Sequence, residues 1–458
     1  MSIIAPKGLF APVDILSRAE AEEIARRALA GSPADETRVS ITSAARADTR
    51  FALNQVTTSG ENRDTQVTVT ALVAGRAASV TTNRLDEKSL AEAAKQATEL
   101  ARLVPPNPER MPELGPQQYP TPKERTVTIP SPAERAAAAK VVTEQARAAG
   151  LIATGFIECR AGATALANSK GLFAYDANAV VTMTATVRTP DGSGSGWACS
   201  DGDSFADIDA RRVGAVASEK AMKSRSPVAI EPGRYTTILE PTAVGNLVRF
   251  VVQGMQARSA DEGRSFYSKP GGGNKIGMKV VDERVTLVSD PADGSTLNGG
   301  YDNDGMPLEK VTWIERGIVK TLNYDRFWAQ KQGTQPTRAP FGTLRMLGGD
   351  TSVADMIKAT ERGILVTRFW YIRPVDPRTI LYTGLTRDGT FLIENGQVTR
   401  PVKNFRFNES PIFFLNNLDA LGPVERVNAS ENLSAGGATY MPTIKVRDFS
   451  FTSLSDAV

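Results

Sequence analysis

The amino-acid sequence predicts an α+β protein made of three successive units. In the first half, helices with recognisable N-terminal caps follow or precede strand-like segments of alternating polar and apolar residues. A proline-rich stretch separates two such units, and beyond about residue 279 short strand-like segments and glycine or asparagine turns predominate. A chain of 458 residues is long enough for two to three domains.

The first unit, residues 1–104, is predicted to be an N-terminal α/β domain with a curved antiparallel sheet. Small and apolar side chains share one face over 18–30, which predicts a helix. Residues 65–73 alternate in polarity and lead through a short turn into a second strand, 76–82. Asp86 is a suitable N-cap for the helix that follows.

Residues 105–128 are predicted to be a stiff linker. Proline removes backbone donors and biases the preceding residue toward extended geometry, so this segment is unsuited to helix or sheet. The prolines are Pro105, Pro106, Pro108, Pro112, Pro116, Pro120 and Pro122.

The middle unit, residues 129–228, is predicted to be a second α/β segment. Ser131 is a good N-cap, Pro132 takes the first helical position, and Glu134 is placed to complete a capping box. The predicted strands are 153–160, 163–167, 171–175 and 179–188, and a helix is expected at about 205–223. The Gly/Ser-rich loop 191–196 is interpreted as a hairpin tip, because it lacks the Lys-Ser/Thr ending of a phosphate-binding loop.

The third unit, residues 229–458, is predicted to be rich in antiparallel strands and barrel-like. A helix should follow Glu240, with Val244, Leu247 and Val251 on its apolar side. Two similar hairpin patterns, at 314–319 and 393–398, indicate a large antiparallel sheet or a barrel. A helix at about 351–361, starting at Thr351 or Ser352, interrupts the strands.

The composition excludes several classes of function. The sequence contains no histidine, which removes Ser-His-Asp and Cys-His catalysis and the zinc helix with two histidines. Lys and Arg total 54 against 51 Asp and Glu, without a basic run, so nucleic-acid binding is not expected. No stretch approaches 18 apolar residues and no signal peptide is recognisable, so neither a membrane span nor membrane association is expected. We therefore expect a cytoplasmic protein.

A few residues are candidates for chemistry in their own right. Cys159 and Cys199 are interpreted as buried free thiols, with a single disulfide as the alternative. The adjacent carboxylates Asp261 and Glu262 have the residue types for acid and base, but a polar helix end explains them equally well. Residues 302–305, which include Asp302 and Asp304, resemble a cation loop but are more simply a solvated turn. The loop at 330–340, with Lys331 and Arg338, is either a basic loop over a groove or an ordinary surface loop.

Several stretches, taken together, resemble the TldD/PmbA family of metallopeptidase-related proteins. Their order and spacing agree from about residue 40 to the C-terminus. The stretches are PGRYTTILEP (232–241), GRSF (263–266), VTLVSDP (285–291), DGMP (304–307), WIERGIV (313–319), FLIENGQV (391–398) and VRDFSFTS (446–453).

The resemblance implies a peptidase built from two different subunits that enclose a cavity and degrade short or unfolded peptides. In the family only the TldD branch carries zinc, held by two histidines of a His-Glu-x-x-x-His helix and by a cysteine near the C-terminus. Here the matching window, 242–262, has no histidine and no carboxylate before Asp261, and the cysteine position falls near Ser434. Glutamine, valine and serine are poor zinc ligands.

The resemblance therefore implies the zinc-free PmbA-type (TldE-type) subunit, with no cofactor on this chain and zinc on a TldD-like partner. The candidate peptide groove consists of Arg249, Gln253, Gln256, Asp261, Glu262 and Ser434. An extended peptide is held at low cost by strand addition. Two alternatives stay open: a peptide-binding homodimer, and a stand-alone peptidase with an oxygen-ligated metal at Asp261, Glu262, Asp302 or Asp304.

Overall fold

The fold was obtained as a computed structural model, which describes residues 15–121, 128–294, 299–428 and 438–455. Within these residues the chain forms two large sheets with helices packed on them. The helices are α1 (Arg18–Ala30), α2 (Glu87–Leu103), α3 (Pro132–Ala148), α4 (Ala210–Lys223), α5 (Pro241–Gln253), α6 (Ala257–Asp261), α7 (Arg326–Gln332), α8 (Val353–Lys358) and α9 (Pro411–Asn416).

The first two sequence units share one antiparallel sheet, in the order β3-β2-β1-β4-β5-β6. Strand β1 pairs with β2 on one side and with β4 on the other, so the sheet runs from one unit into the next. The strands are β1 (Glu36–Ala52), β2 (Gln55–Val73), β3 (Arg76–Thr82), β4 (Ile152–Asn168), β5 (Phe173–Arg188) and β6 (Ser195–Gly202).

One face of this sheet is covered by α1 to α4. Val39, Val67 and Val69 pack with α1 and α2, while Phe51 and Ile157 pack with α3 and α4. All five have odd numbers, as expected when side chains alternate across antiparallel strands in continuous register. The opposite face is the more polar one and turns toward the second sheet.

Sequence reasoning divided this sheet too finely and missed one strand. The predicted strands 153–160 and 163–167 are parts of β4, and 171–175 and 179–188 are both parts of β5. The apparent break at Gly162 is a close approach, because a Cβ there would lie 3.0 Å from the Ser43 carbonyl oxygen. Strand β1 went unpredicted because its buried side includes small residues such as Ala45 and Ala47.

The predicted helix starts of this region are confirmed. Ser131 caps α3 in a complete capping box with Glu134, and Asp86 caps α2. The predicted helix at 205–223 is shorter, because a 3₁₀ turn at Phe205–Asp207 precedes α4. Loop 191–196 is the hairpin connection into β6, as predicted.

The described part of the proline-rich stretch, residues 105–121, contains neither helix nor strand. It is attached to the first sheet by the buried side chain of Glu113, which pairs with Arg38 at 2.9 Å. Asn168 donates to the Leu114 carbonyl oxygen at 2.8 Å from the end of β4. These contacts hold the segment against the body of the protein.

The second sheet is a mixed sheet of eleven strands within the described residues. Strands β7, β12, β13, β15 and β17 pair in a closed ring, because β17 bonds both β15 and β7. The strands are β7 (Gly233–Leu239), β8 (Leu287–Ser289), β9 (Val311–Glu315), β10 (Ile318–Val319), β11 (Leu344–Met346), β12 (Arg362–Asp376), β13 (Leu381–Glu394), β14 (Gln397–Pro401), β15 (Phe405–Glu409), β16 (Leu418–Val427) and β17 (Thr439–Leu454).

The barrel-like prediction for the third unit is thus confirmed. Both predicted hairpins are present, as β9–β10 and β13–β14. Helix α8 is shorter than the predicted 351–361 and begins after Ser352, whose side chain accepts from the Asp355 amide. In the described residues no helix is both long and apolar enough to span a membrane.

Candidate functional site

Helix α5 is the element that positions the candidate site. It follows the ring strand β7 directly, and Pro241 takes its first position, where a missing amide proton costs nothing. Val244, Leu247 and Val251 are fully buried in the core formed with the ring strands. Packing on that side fixes the orientation of the helix and hence the direction of its polar side chains.

The polar side of α5 and its continuation line a cavity of about 300 Å³. Arg249 and Gln253 lie on this wall four residues apart, which places them on one side of α5. Gln256 follows the end of the helix in an extended conformation and reaches the same wall through a β-bridge with Asn323. The other walls come from both sheets and from the loop before β11. They include Asp201, Ser289, Trp313, Asn323, Ala339, Pro340, Phe341, Gly342, Thr343, Leu344, Val427, Asn428 and Thr439.

Hydrogen bonds fix several of these walls. The Gln256 side-chain oxygen accepts from the Asn323 amide at 3.3 Å. The Trp313 indole N–H donates to the Ser289 hydroxyl at 2.8 Å, and that hydroxyl donates to the Thr343 carbonyl. The Arg249 guanidinium lies 4.6 Å from the Phe250 ring centre, within cation–π range. The cavity is therefore a preformed space with aromatic and amide surfaces.

The first sheet contributes one acidic residue, Asp201. Arg426 from β16 bonds Asp201 at 2.9 Å and Asp203 at 2.7 Å, which ties the two sheets together beside the cavity. Burial raises the pKa of Asp201, against the opposing effect of Arg426. Arg249 is the positively charged side chain in this lining, and its Nε donates to the Asn246 carbonyl oxygen at 3.3 Å.

A second and larger cavity, of about 720 Å³, adjoins the first. The two share Asn323, Ala339, Pro340, Phe341 and Thr343 in their linings. Phe341 is 94% exposed and lies at this junction. The shared walls indicate a continuous groove from the space beside the first sheet to the polar side of α5.

The sequence-predicted site residues are only partly brought together. Arg249, Gln253 and Gln256 line the first cavity, whereas Asp261 and Glu262 are absent from its lining. Asp261 accepts from the Trp328 indole and from the Asn274 amide, both at 2.7 Å. Glu262 is bonded by Arg258 and Arg264. Ser434 lies outside the described residues.

Asp302 and Asp304 line the second cavity. The sequence analysis expected a solvated turn here, but the turn is packed against the protein. Asp304 pairs with Arg38 at 3.2 Å and Arg326 at 3.6 Å. Asp302 accepts from the backbone amides of Asp304 and Met306, and burial raises the pKa of its carboxyl. These acids are thus engaged by protein partners.

The residues present do not fit a zinc ion. The side chains that α5 contributes to the cavity are the Arg249 guanidinium, Val252 and the Gln253 amide, which are poor zinc ligands. Across the residues that the structure describes, no three side chains among His, Cys, Asp and Glu are close enough to share a metal. Cys159 and Cys199 are free and buried, as expected, and burial raises the pKa of Cys159 to about 12.

Sequence reasoning missed the walls that other elements contribute. Trp313 and Asn323 are far from α5 in the chain. Trp313 is on β9, which is connected to the ring strand β17 through β8 and β11, and Asn323 is held by a β-bridge with Gln256. The loop at 330–340 does border the groove, through Ala339 and Pro340. Its basic residues have other contacts, because Lys331 stacks on Trp328 and Arg338 pairs with Glu309. Phe341 could have been recognised as a candidate from the sequence, because it is an apolar residue between Pro340 and Gly342 in a loop.

Three domain models of one family match the chain in order. PmbA/TldA metallopeptidase domain 1 matches residues 38–101, the central domain matches 126–225, and the C-terminal domain matches 232–453. The three matches follow one another along the chain and together cover most of residues 38–453.

Related proteins are similar at low identity. A metalloprotease from Methanothermobacter thermautotrophicus is 24% identical over 57% of this chain and 60% of its own length. A metalloprotease TldD homologue from Buchnera aphidicola is 26% identical over 45% of this chain and 42% of its own. The chain thus spans about half the length of these curated relatives.

Solved structures share the fold over nearly the whole chain. TldE from Thermococcus kodakarensis aligns with a TM-score of 0.81 at 18% identity, covering 94% of this chain and 99% of that one. A protein described as a putative modulator of DNA gyrase, from Bacteroides thetaiotaomicron, aligns with a TM-score of 0.77 at 20% identity, covering 96% and 100%.

Proposed function

Because this chain belongs to the TldD/PmbA family of metallopeptidase-related proteins, we propose that it is the zinc-free subunit of a two-subunit peptidase. The zinc and its general base are supplied by a TldD-like homologue, and this subunit binds and guides short or unfolded peptides. The observation that supports the proposal is that Arg249 and Gln253 of α5, followed by Gln256, line a cavity. These residues lie in the window where the family resemblance implies zinc ligands in the TldD branch.

The shape of the groove supports a peptide as its ligand. The two adjoining cavities offer an elongated path, and an extended peptide advances about 3.3 Å per residue along it. Amide side chains such as Gln253, Gln256 and Asn323 both donate and accept, so they can bond a peptide backbone of any sequence. Trp313 and Phe341 offer apolar surface to side chains.

The chain itself does not hydrolyse the peptide bond in this proposal. Metal-activated water is the nucleophile in zinc peptidases, and this chain lacks the ligands to hold the ion there. Its own residues bind the peptide, restrict its path and exclude water around it. The stand-alone alternative is disfavoured, because Asp261 and Glu262 lie outside the first cavity while Asp302 and Asp304 line the second.

Co-expression with a homologue from the same genome that carries His-Glu-x-x-x-His tests the proposal. We expect the two chains to co-purify, zinc to be present at one per pair, and cleavage of an unfolded fluorogenic peptide only by the pair. A matched sample with the homologue's Glu replaced should assemble and stay inactive. Stoichiometric zinc in this chain alone, together with cleavage abolished by a chelator, would overturn the proposal.

A further inference from the structure

The lining of the first cavity is suited to an uncharged, apolar group of a ligand. Its charged side chains within the described residues are one of each sign, Asp201 and Arg249, so they give the lining no net formal charge. Ligand pockets with this balance are mostly apolar and use a few polar groups for orientation. The apolar side chains in the lining are Val252, Trp313, Ala339, Pro340, Phe341, Leu344 and Val427.

Trp313 offers this cavity ring surface but no hydrogen-bond donor. The indole N–H is the only donor of a tryptophan side chain, and here it donates to the Ser289 hydroxyl at 2.8 Å. Ser289 in turn donates to the Thr343 carbonyl oxygen. A polar group of a ligand would therefore gain no hydrogen bond from Trp313, whereas an apolar group would gain contact with its ring.

Phe341 is the exposed aromatic residue of the same lining, and its loop holds it in place. Pro340 restricts the backbone before it, and Gly342 follows with a φ of 73°, in the left-handed region that favours glycine. The bond from Ser289 to Thr343 anchors the chain just beyond this turn, so one serine links both aromatic walls. Because Phe341 is 94% exposed, a ligand that covers its ring gains hydrophobic stabilisation.

The volume of the first cavity matches one large side chain. An apolar cavity of about 150 Å³ holds a benzene molecule. The first cavity measures about 300 Å³, which leaves room for an aromatic ring together with part of a peptide backbone. A small side chain such as that of alanine would leave most of this space to water.

We infer that the first cavity is a side-chain pocket that selects peptides containing an aromatic residue, and that Phe341 determines this preference. The inference rests on the proposed peptide-guiding function and names the substrate class of that groove. The ring of the peptide contacts Trp313 and Phe341, while Gln253 offers an amide to the peptide backbone. The rest of the peptide continues along the walls that the two cavities share.

Labelled Gly/Ser peptides that differ at one central position test the preference. By fluorescence anisotropy with the purified full chain, the phenylalanine peptide should bind at least about tenfold more tightly than the alanine peptide. Peptides with lysine or glutamate at that position should bind no better than the alanine peptide. Equal affinities for phenylalanine and alanine would overturn the inference and leave the proposed function standing. Failure of every peptide to bind, both to this chain and to its pair with the homologue, would overturn the proposed function as well.

Two variants locate the preference. Phe341→Ala should lower the ratio of the two affinities about fivefold, because it removes one aromatic partner of the peptide ring. The matched control is Phe413→Ala, which removes a 40% exposed aromatic ring outside both linings and should keep the ratio. A Phe341→Ala chain that keeps the full ratio but no longer co-purifies with the homologue would assign Phe341 to subunit contact and overturn its role here.

Photocrosslinking gives an independent measure of where the ring binds. A peptide with p-benzoylphenylalanine at the central position should crosslink to Trp313 or to residues 339–344, as located by mass spectrometry of the digested chain. Excess unlabelled phenylalanine peptide should suppress the crosslink, and excess alanine peptide should not. Crosslinks confined to other parts of the chain would overturn the inference.

Discussion

The two sides of helix α5 differ in what they do for the protein. On one side Val244, Leu247 and Val251 are fully buried against the ring of strands. On the other side Arg249 and Gln253 line a cavity and are not part of the buried core cluster. The comparison teaches that the fold depends on the apolar side, whereas the proposed peptide binding depends on the polar side.

The largest effect is expected from the apolar side. Leu247→Ala removes a side chain with no exposed surface and should lower the free energy of unfolding by about 3 kcal/mol. Chemical denaturation monitored by tryptophan fluorescence measures this loss. If the variant were as stable as the wild type, α5 would not be anchored as described.

A buried acid in the ring of strands beneath α5 should also make the stability of the protein depend on pH. Burial raises the pKa of Glu409 to about 7, despite bonds from the amides of Ser450 and Ser410. The folded state therefore holds this proton more tightly than the unfolded state, and stability falls as pH rises from about 4.5 through 7. The loss should amount to about 2–3 kcal/mol. Denaturation at several pH values should show a flatter profile for Glu409→Gln; an identical profile would contradict the assignment.

The polar side should affect binding and leave stability nearly unchanged. Arg249→Ala should weaken binding of a labelled unfolded peptide about tenfold, because it removes a charged hydrogen-bond donor from the cavity. Fluorescence anisotropy measures the change in Kd. Arg264→Ala, which removes an exposed arginine outside that lining, is the matched control and should bind normally. Equal losses in both variants would remove the distinction between the two positions.

Asp261 should respond like a structural residue although it follows α5 closely. Asp261→Asn replaces an acceptor of two hydrogen bonds with a group that can accept from only one of those donors, Trp328 or Asn274. We expect a loss of about 1 kcal/mol in stability and an unchanged peptide Kd. A selective loss of peptide binding would return Asp261 to the groove.

The smallest effect is expected at Glu262, which lies on the surface in ion pairs with Arg258 and Arg264. Glu262→Gln should change stability by less than about 0.5 kcal/mol, since exposed ion pairs contribute little. Peptide binding should also stay the same. A clear defect in either measurement would mean that the polar region extends further than the α5 cavity.

The sequence predicted local features well and long-range ones poorly. Caps such as Ser131 and Asp86 depend on a few neighbouring residues, so their prediction was confirmed. Helical spacing places Arg249 and Gln253 on one side of α5, where both line the first cavity, and their role in a peptide groove stays a prediction. Trp313 could not be assigned to the cavity, because its strand β9 reaches this position through pairing with β8, which leads through β11 to β17, a strand far along the chain. The contacts of Asp261 could not be predicted either, since its partner Trp328 belongs to a helix that is distant in the chain.

The pairing of β1 with β4 has a consequence for how the polypeptide can be divided. The backbone hydrogen bonds between β1 and β4 join segments on either side of the proline-rich stretch, with Val39 opposite Ala167. Glu113, within that stretch, adds an ion pair with Arg38 of β1. A protease cut between residues 105 and 121 would sever the chain and leave the ladder whole. Fragments expressed separately on either side of that point should reassemble by complementation, which would make the protein suitable as a split reporter.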